Sequence, residues 1–250
     1  MITLEAKEKL EEEYFANQPT IGRHLRLKVI DWLFEIMTKF KITERAVMFQ
    51  AISMMDKFYA HSKTNMPLQD LQLTAVTCFF MSAKNIMINP FNLQTVLESM
   101  CYHKFTHSQL IEKESAIRQS CDYVAESTSM IDFTQLYIKM IKYEFWKYLK
   151  QYKGYEPTKI CKGTARFLKE LEIISYELCK ISLADVYVKR YLPSYVGAAF
   201  IITAFEVLVE DIMKVEDDAT VLDLNHVVEY HRIIQNLFTK LFGYDKFVMF

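Results

Sequence analysis

The chain has 250 residues, 51% of them hydrophobic, a formal net charge of −1, and only 5 glycines and 5 prolines. That length can bury one large core or two ordinary ones, while the scarcity of turn residues excludes an all-β protein and leaves almost no room for a glycine-rich phosphate loop. Near-neutral charge provides no global field for nucleic acid or an acidic membrane surface, and the 5 cysteines are odd in number and widely spaced, which predicts reduced thiols in an intracellular protein of the cytoplasm or nucleus.

Residues 1–15 read as a charged helix without the apolar core of a secretory signal, and Asn17, Pro19 and Gly22 break the chain after it. The next stretch, His24 to Phe40, is the helix around which the chain is expected to organise. Leu25, Val29, Trp32, Leu33, Ile36 and Phe40 recur at helical spacing, and Ile30, Phe34 and Met37 widen the apolar surface. Arg26 falls on that apolar side and requires an acid, because a buried guanidinium stranded without its partner costs roughly 3 to 5 kcal/mol. Thr43 is the expected cap of a second helix running to about His61, in which Asp56 shares the apolar face and is the best partner for Arg26.

Asn65 and Pro67 introduce a third helix to about Met87, with Leu73, Val76, Thr77, Phe80, Met81 and Lys84 on one face. Asn89-Pro90 predicts the start of a short fourth helix to about Met100, and Thr106 with Gln109 forms a capping box for a fifth reaching Glu126. The pattern then restarts. Asp132 and Gln135 stand in capping-box spacing ahead of Phe133 to Leu149, Pro157 opens a helix to about Lys180, and Pro193 opens an uncharged helix to about Val209. Glu210 to Ala219 reads as an acidic loop, and Asp223 to Phe242 as a further amphipathic helix. The uncharged stretch Tyr191 to Phe205 falls short of the roughly 20 apolar residues that span a bilayer, so it is expected to be a buried central helix and no membrane partner is implied.

Three groups of residues invite a specific chemistry. Cys101, His103 and His107 suggest a metal, yet no second Cys/His cluster accompanies them, and a loop-to-helix junction accounts for them better. Lys142 to Tyr155 interleaves lysines with aromatics as single-strand binders do; amphipathic packing with snorkelling lysines is the simpler account, and no nucleic-acid partner is expected. Glu210, Asp211, Glu216, Asp217 and Asp218 are consecutive-type acids without calcium-loop spacing. No nucleophile motif or paired acid–base constellation is evident, so the chain is not read as an enzyme and no cofactor is implied. A helical repeat of this kind points to binding other proteins through helix faces.

The residues in order also carry a family resemblance. Gln18-Pro-Thr-Ile21 followed by Leu25-Arg-Leu-Lys-Val-Ile-Asp-Trp-Leu33, Met54-Met-Asp56-Lys-Phe58, Leu71-Gln-Leu73, and Tyr191-Leu-Pro-Ser194 with Gly197-Ala-Ala-Phe200 resemble, in order and spacing, the motifs of cyclins, closest to the mitotic A and B types. The resemblance runs from about residue 14 to 242. It implies an all-α protein of two tandem five-helix cyclin boxes, residues 23–129 and 130–250, after an N-terminal helix and linker over 1–22. It implies Arg26 and Asp56 as the family's structural ion pair. It further implies a regulatory subunit that binds and activates a cyclin-dependent protein kinase, with Lys84, Glu114, Met81, Asn85 and Arg118 at the kinase contact, and a substrate-docking patch of Leu25, Lys28, Val29, Trp32 and Gln72.

Departures from the family pattern qualify that expectation. After the retained Lys84, Asn85-Ile-Met87 stands where the family has an aromatic and two acids, Arg118 and Ala125 replace groove leucines, and Lys28 replaces an aliphatic. The alternative is a kinase-independent cyclin-fold scaffold, a structural subunit of a larger protein assembly.

Overall fold

The computed structural model describes residues 18–62, 65–120, 128–151, 157–214 and 224–243. Among these the secondary structure is helical: α1 Arg23–Lys39, α2 Ala46–His61, α3 Leu68–Ile86, α4 Leu93–Thr95 running into a π-helical turn Val96–Met100, and α5 His107–Ser120. Then follow α6 Met130–Gln151, α7 Pro157–Ser182, a 3-10 turn Val186–Arg190, α8 Pro193–Lys214 and α9 Leu224–Phe242. The expected helix over 1–15, the end of the fifth helix with Ala125, and the acids Glu216, Asp217 and Asp218 lie outside the described residues.

The chain divides into two compact units. The first comprises α1 to α5 together with the segment Ser182–Pro193, and the second is Asp132–Ile181 with the chain from Ser194 onward. The first division follows Ile131, and the assignment of Ser182–Pro193 to the first unit has no counterpart in the sequence reading.

In the first unit α3 packs on α1, α2 and α5, and nearly every residue from Leu71 to Ala83 is buried. Helix α1 buries a smaller share of its residues than α3 does, so the centre belongs to α3 rather than to the helix the periodicity singled out. Before α1, the buried Gln18 donates to the Tyr59 carbonyl at 3.2 Å and accepts from the Met66 backbone N–H at 2.9 Å, while Ile21 is fully buried. One amide thus satisfies backbone groups at both ends of the α2–α3 connection, where an apolar residue would leave them unpaired.

In the second unit Phe133, Tyr137, Ile138, Ile141 and Phe145 of α6 meet Phe167 and Leu171 of α7, Ala198, Ile201, Ala204 and Phe205 of α8, and Tyr230, Ile234 and Phe238 of α9. The Tyr230 hydroxyl would be costly there without a partner, and it lies 2.7 Å from Thr164 Oγ1. Helix α8 is long and apolar enough to cross a membrane by length and composition. It contributes Ala198, Ile201, Ala204, Phe205 and Leu208 to this core.

Several local expectations are corrected. Thr43 does not cap α2: Arg45 occupies that position, and no side chain bonds the helix end. Asn92 rather than Asn89 caps α4, its Oδ1 accepting from Thr95 N at 2.7 Å. Asp132 sits inside the first turn of α6, which starts at Met130. Glu210 and Asp211 belong to α8, which continues to Lys214, so the acidic stretch begins as helix. The capping box at α5 is made on both sides, Gln109 Oε1 accepting from Thr106 N at 2.8 Å and Thr106 Oγ1 from Gln109 N at 3.3 Å. Helix α1 closes on a Schellman motif, with Ile42 N donating to Met37 O at 2.9 Å and Lys41, at φ 52°, in the left-handed position that glycine usually fills.

Candidate functional site

Two charged clusters lie in the first unit, one sealed and one open. In the sealed cluster Arg26 Nε and Nη2 donate to Asp56 Oδ1 and Oδ2, both at 2.9 Å, with side chains 1% and 0% exposed. The helices explain the meeting: Arg26 is on the inner face of α1 and Asp56 on that of α2, and the two helices pack together. Two further partners come from the segment Ser182–Pro193. Arg26 Nη1 donates to the Leu183 carbonyl at 2.6 Å, and Lys189 Nζ donates to Asp56 Oδ2. The segment is also held by Tyr187, whose ring lies under Arg23 at 4.5 Å and Arg190 at 4.3 Å.

Burial alone would push the Asp56 carboxyl up, but the charges and hydrogen bonds of Arg26 and Lys189 outweigh it and bring the pKa down to about 2. Burial, opposed by Asp56 and reinforced by Arg26, pulls the Lys189 ammonium below the ordinary lysine range. Such a cluster is structural: it offers nothing to solvent.

The open cluster is built on the last turn of α3 and the middle of α5. Lys84 Nζ reaches both oxygens of Glu114, at 2.8 and 2.7 Å, and lies 4.4 Å from the centre of the Phe80 ring. Arg118, one turn beyond Glu114, donates to Oε1 through Nη2 at 2.8 Å and Nε at 3.2 Å. Burial raises the Glu114 carboxyl, and the hydrogen bonds from Lys84 and Arg118 together with their charges reverse the effect and hold it below the usual carboxylate range. Two cations therefore share one carboxylate, leaving a partly exposed cluster of net positive charge. The Lys113–Asp70 ion pair lies between the same two helices.

Of the other residues expected here, Asn85 is exposed, whereas Met81 is buried and presents no side chain to a partner. Just past α3, Ile88 is almost fully exposed. Arg118 is the departure from expectation with the largest consequence. The sequence reading placed it as a polar intruder in an apolar groove, and the structure engages it with Glu114 instead. The four-residue spacing of the two was the signal for that pairing. Nothing in the sequence points to Lys189 or the Leu183 carbonyl as partners of the buried pair.

The proposed docking patch spreads over two helices. Val29 is buried, Leu25 and Trp32 are partly buried, Lys28 is exposed, and Gln72 on α3 has its amide oxygen occupied by Lys104 Nζ at 2.6 Å. At the junction of Cys101, His103 and His107, both histidines are exposed, and burial pushes the Cys101 thiol up to about 11, a poor state for ligating a metal. Among the described residues no three His, Cys, Asp or Glu side chains gather as a metal site.

The fold is that of the cyclins. It is similar to the X-ray structure of a viral cyclin from Herpesvirus saimiri, with a TM-score of 0.59, 16% identity, and 97% of each chain covered. A family model described as the cyclin N-terminal domain matches residues 1–124. Cyclin-B2-1 of Oryza sativa subsp. japonica is 22% identical over 197 residues, covering 78% of this chain and 40% of the relative. Cyclin-B1-1 of Arabidopsis thaliana is 24% identical over 127 residues, covering 51% of this chain and 29% of the relative. The chain thus spans less than half the length of these curated relatives. It is a divergent member of the cyclin family.

Proposed function

We propose that the chain is a regulatory subunit that binds and activates a cyclin-dependent protein kinase. The observation that carries this reading is the half-exposed Lys84–Glu114 pair at the end of α3, the family's lysine and glutamate held in contact on adjacent helices. In that position both groups are oriented by each other and by Arg118, so a partner's backbone meets preorganised donors and acceptors without the entropy of ordering them. The neighbouring exposed Ile88 adds apolar surface.

One observation favours a second reading, a kinase-independent scaffold. Arg118 already engages Glu114, and by resemblance it replaces a groove leucine of the family. A partner adapted to that surface need not be a kinase.

The test is co-purification with the chain, followed by a protein-kinase assay on what it retains. Lys84→Ala with Glu114→Ala is expected to abolish associated kinase activity while the helical fold melts as in the parent, since losing a charged hydrogen-bonding member of an interface costs about 2 to 5 kcal/mol. Asn85→Phe with Arg118→Leu is expected to strengthen kinase binding. A parent chain that retains a non-kinase complex, unaffected by the double alanine variant, refutes the first reading in favour of the second.

A further inference from the structure

Helix α6 uses one side to build the core of the second unit and leaves the other in solvent. Leu136, Lys139, Tyr143, Trp146, Lys147 and Lys150 follow each other at helical spacing along that outer side, and all are exposed. Tyr143 is 56% and Trp146 51% accessible, so the aromatics of this stretch do not all pack inward as amphipathic packing would require. Their rings lie nearly parallel, 6.3 Å apart at 20°. Lys147 Nζ stands 4.3 Å from the Tyr143 ring centre and Lys150 Nζ 3.5 Å from that of Trp146.

A single exposed apolar residue is ordinary on any protein surface, but adjacent exposed Trp and Tyr are the side chains that anchor interfaces. The charge around them is one-sided. Lys147 pairs with Glu144 and Lys142 with Glu172, whereas Lys139 and Lys150 have no carboxylate partner among the described residues. Within Leu136 to Lys150 the one acid is Glu144, set against the four lysines Lys139, Lys142, Lys147 and Lys150.

We propose that this stripe of α6 is a docking surface for an acidic protein segment bearing apolar side chains. Its carboxylates meet Lys139, Lys147 and Lys150, and its apolar groups cover Tyr143 and Trp146. The stripe from Lys139 to Lys150 is about 16 Å long at 1.5 Å per residue, the reach of a three-turn helix or a short extended strand. Charge complementarity selects an anionic partner, and the geometry selects among anions. Single-stranded nucleic acid binds such platforms by stacking bases on bare ring faces. Here lysine ammoniums already lie over the Tyr143 and Trp146 rings, so a base would have to displace them, whereas a carboxylate meets the ammoniums where they stand.

The experiment uses the full chain, fluorescence anisotropy and three labelled probes: an amphipathic peptide of glutamate and leucine, oligo(dT), and vesicles containing phosphatidylserine. The peptide is expected to bind more tightly than either other probe. Trp146→Ala with Tyr143→Ala should weaken it at least about tenfold. Lys147→Glu with Lys150→Glu should do the same and flatten the salt dependence. Circular dichroism melts matching the parent show that the variants fold, as exposed positions should. No peptide binding, peptide binding indifferent to both variants, or tighter binding of oligo(dT) or vesicles overturns the proposal.

Discussion

Replacing Asp56 by alanine should be among the most damaging single changes available to the first unit. The carboxylate is fully buried and is shared by Arg26 and Lys189. Its loss takes the shared counter-charge from two cations, where removing one member of a buried pair costs about 3 to 5 kcal/mol, and the second cation places this case at the upper end. Repair should be graded. Asp56→Leu with Arg26→Met still leaves Lys189 facing an apolar wall, so adding Lys189→Met should recover stability that the double variant does not. The same carboxyl sets an acid limit: with its pKa held near 2, it contributes roughly 2 kcal/mol of stability that is fully present above the ordinary carboxylate range and is lost as pH falls from about 4 through about 2. Urea titrations followed by circular dichroism, at neutral pH and at steps down to pH 2, measure both effects. An Asp56→Ala chain within about 1 kcal/mol of the parent, against that expected cost, or a triple variant no more stable than the double, refutes the reasoning.

Ala198 is fully buried on α8 among Phe and Ile side chains, so Ala198→Leu should overpack the second unit and cost about 1 to 3 kcal/mol in the same titrations; unchanged stability would place that face of α8 outside the core. Lys41 holds a left-handed conformation at an exposed helix end, so Lys41→Gly should stabilise the chain by up to about 1 kcal/mol, and a loss would show that the lysine side chain earns its place by a contact.

Most of the helices were legible because burial on one side imposes a 3.6-residue apolar period, and α6, α7 and α9 show it clearly. The Arg26–Asp56 geometry follows from the same logic: each lies on an apolar face, and a charge there must find its opposite. The cap positions were less legible. Thr43 and Asn89 have the right chemistry, but Arg45 and Asn92 occupy the cap positions. The acids Glu210 and Asp211 read as loop by composition alone, yet α8 continues through them to Lys214. The residues of the proposed site were named from the motif, and their wiring does not follow from it. Lys84 and Glu114 stand 30 positions apart and are matched by motif, whereas the hold of Arg118 on Glu114 depends on which way a long side chain turns. The reach of Lys189 to Asp56 spans 133 positions, a distance over which no periodicity speaks.

The membership of Ser182–Pro193 in the first unit separates the order of synthesis from the order of assembly. A ribosome releases α1 and α2 early, so Arg26 and Asp56 can meet while more than half of the chain is still untranslated. The Leu183 carbonyl and the Lys189 ammonium arrive only after α6 and α7 have been made. Until then Arg26 Nη1 lacks the Leu183 carbonyl, and Asp56 Oδ2 has the bond from Arg26 Nη2 without the one from Lys189. A gene fragment cut after Ile131 would lack both of these partners, because the whole first unit is not encoded by one continuous stretch of codons.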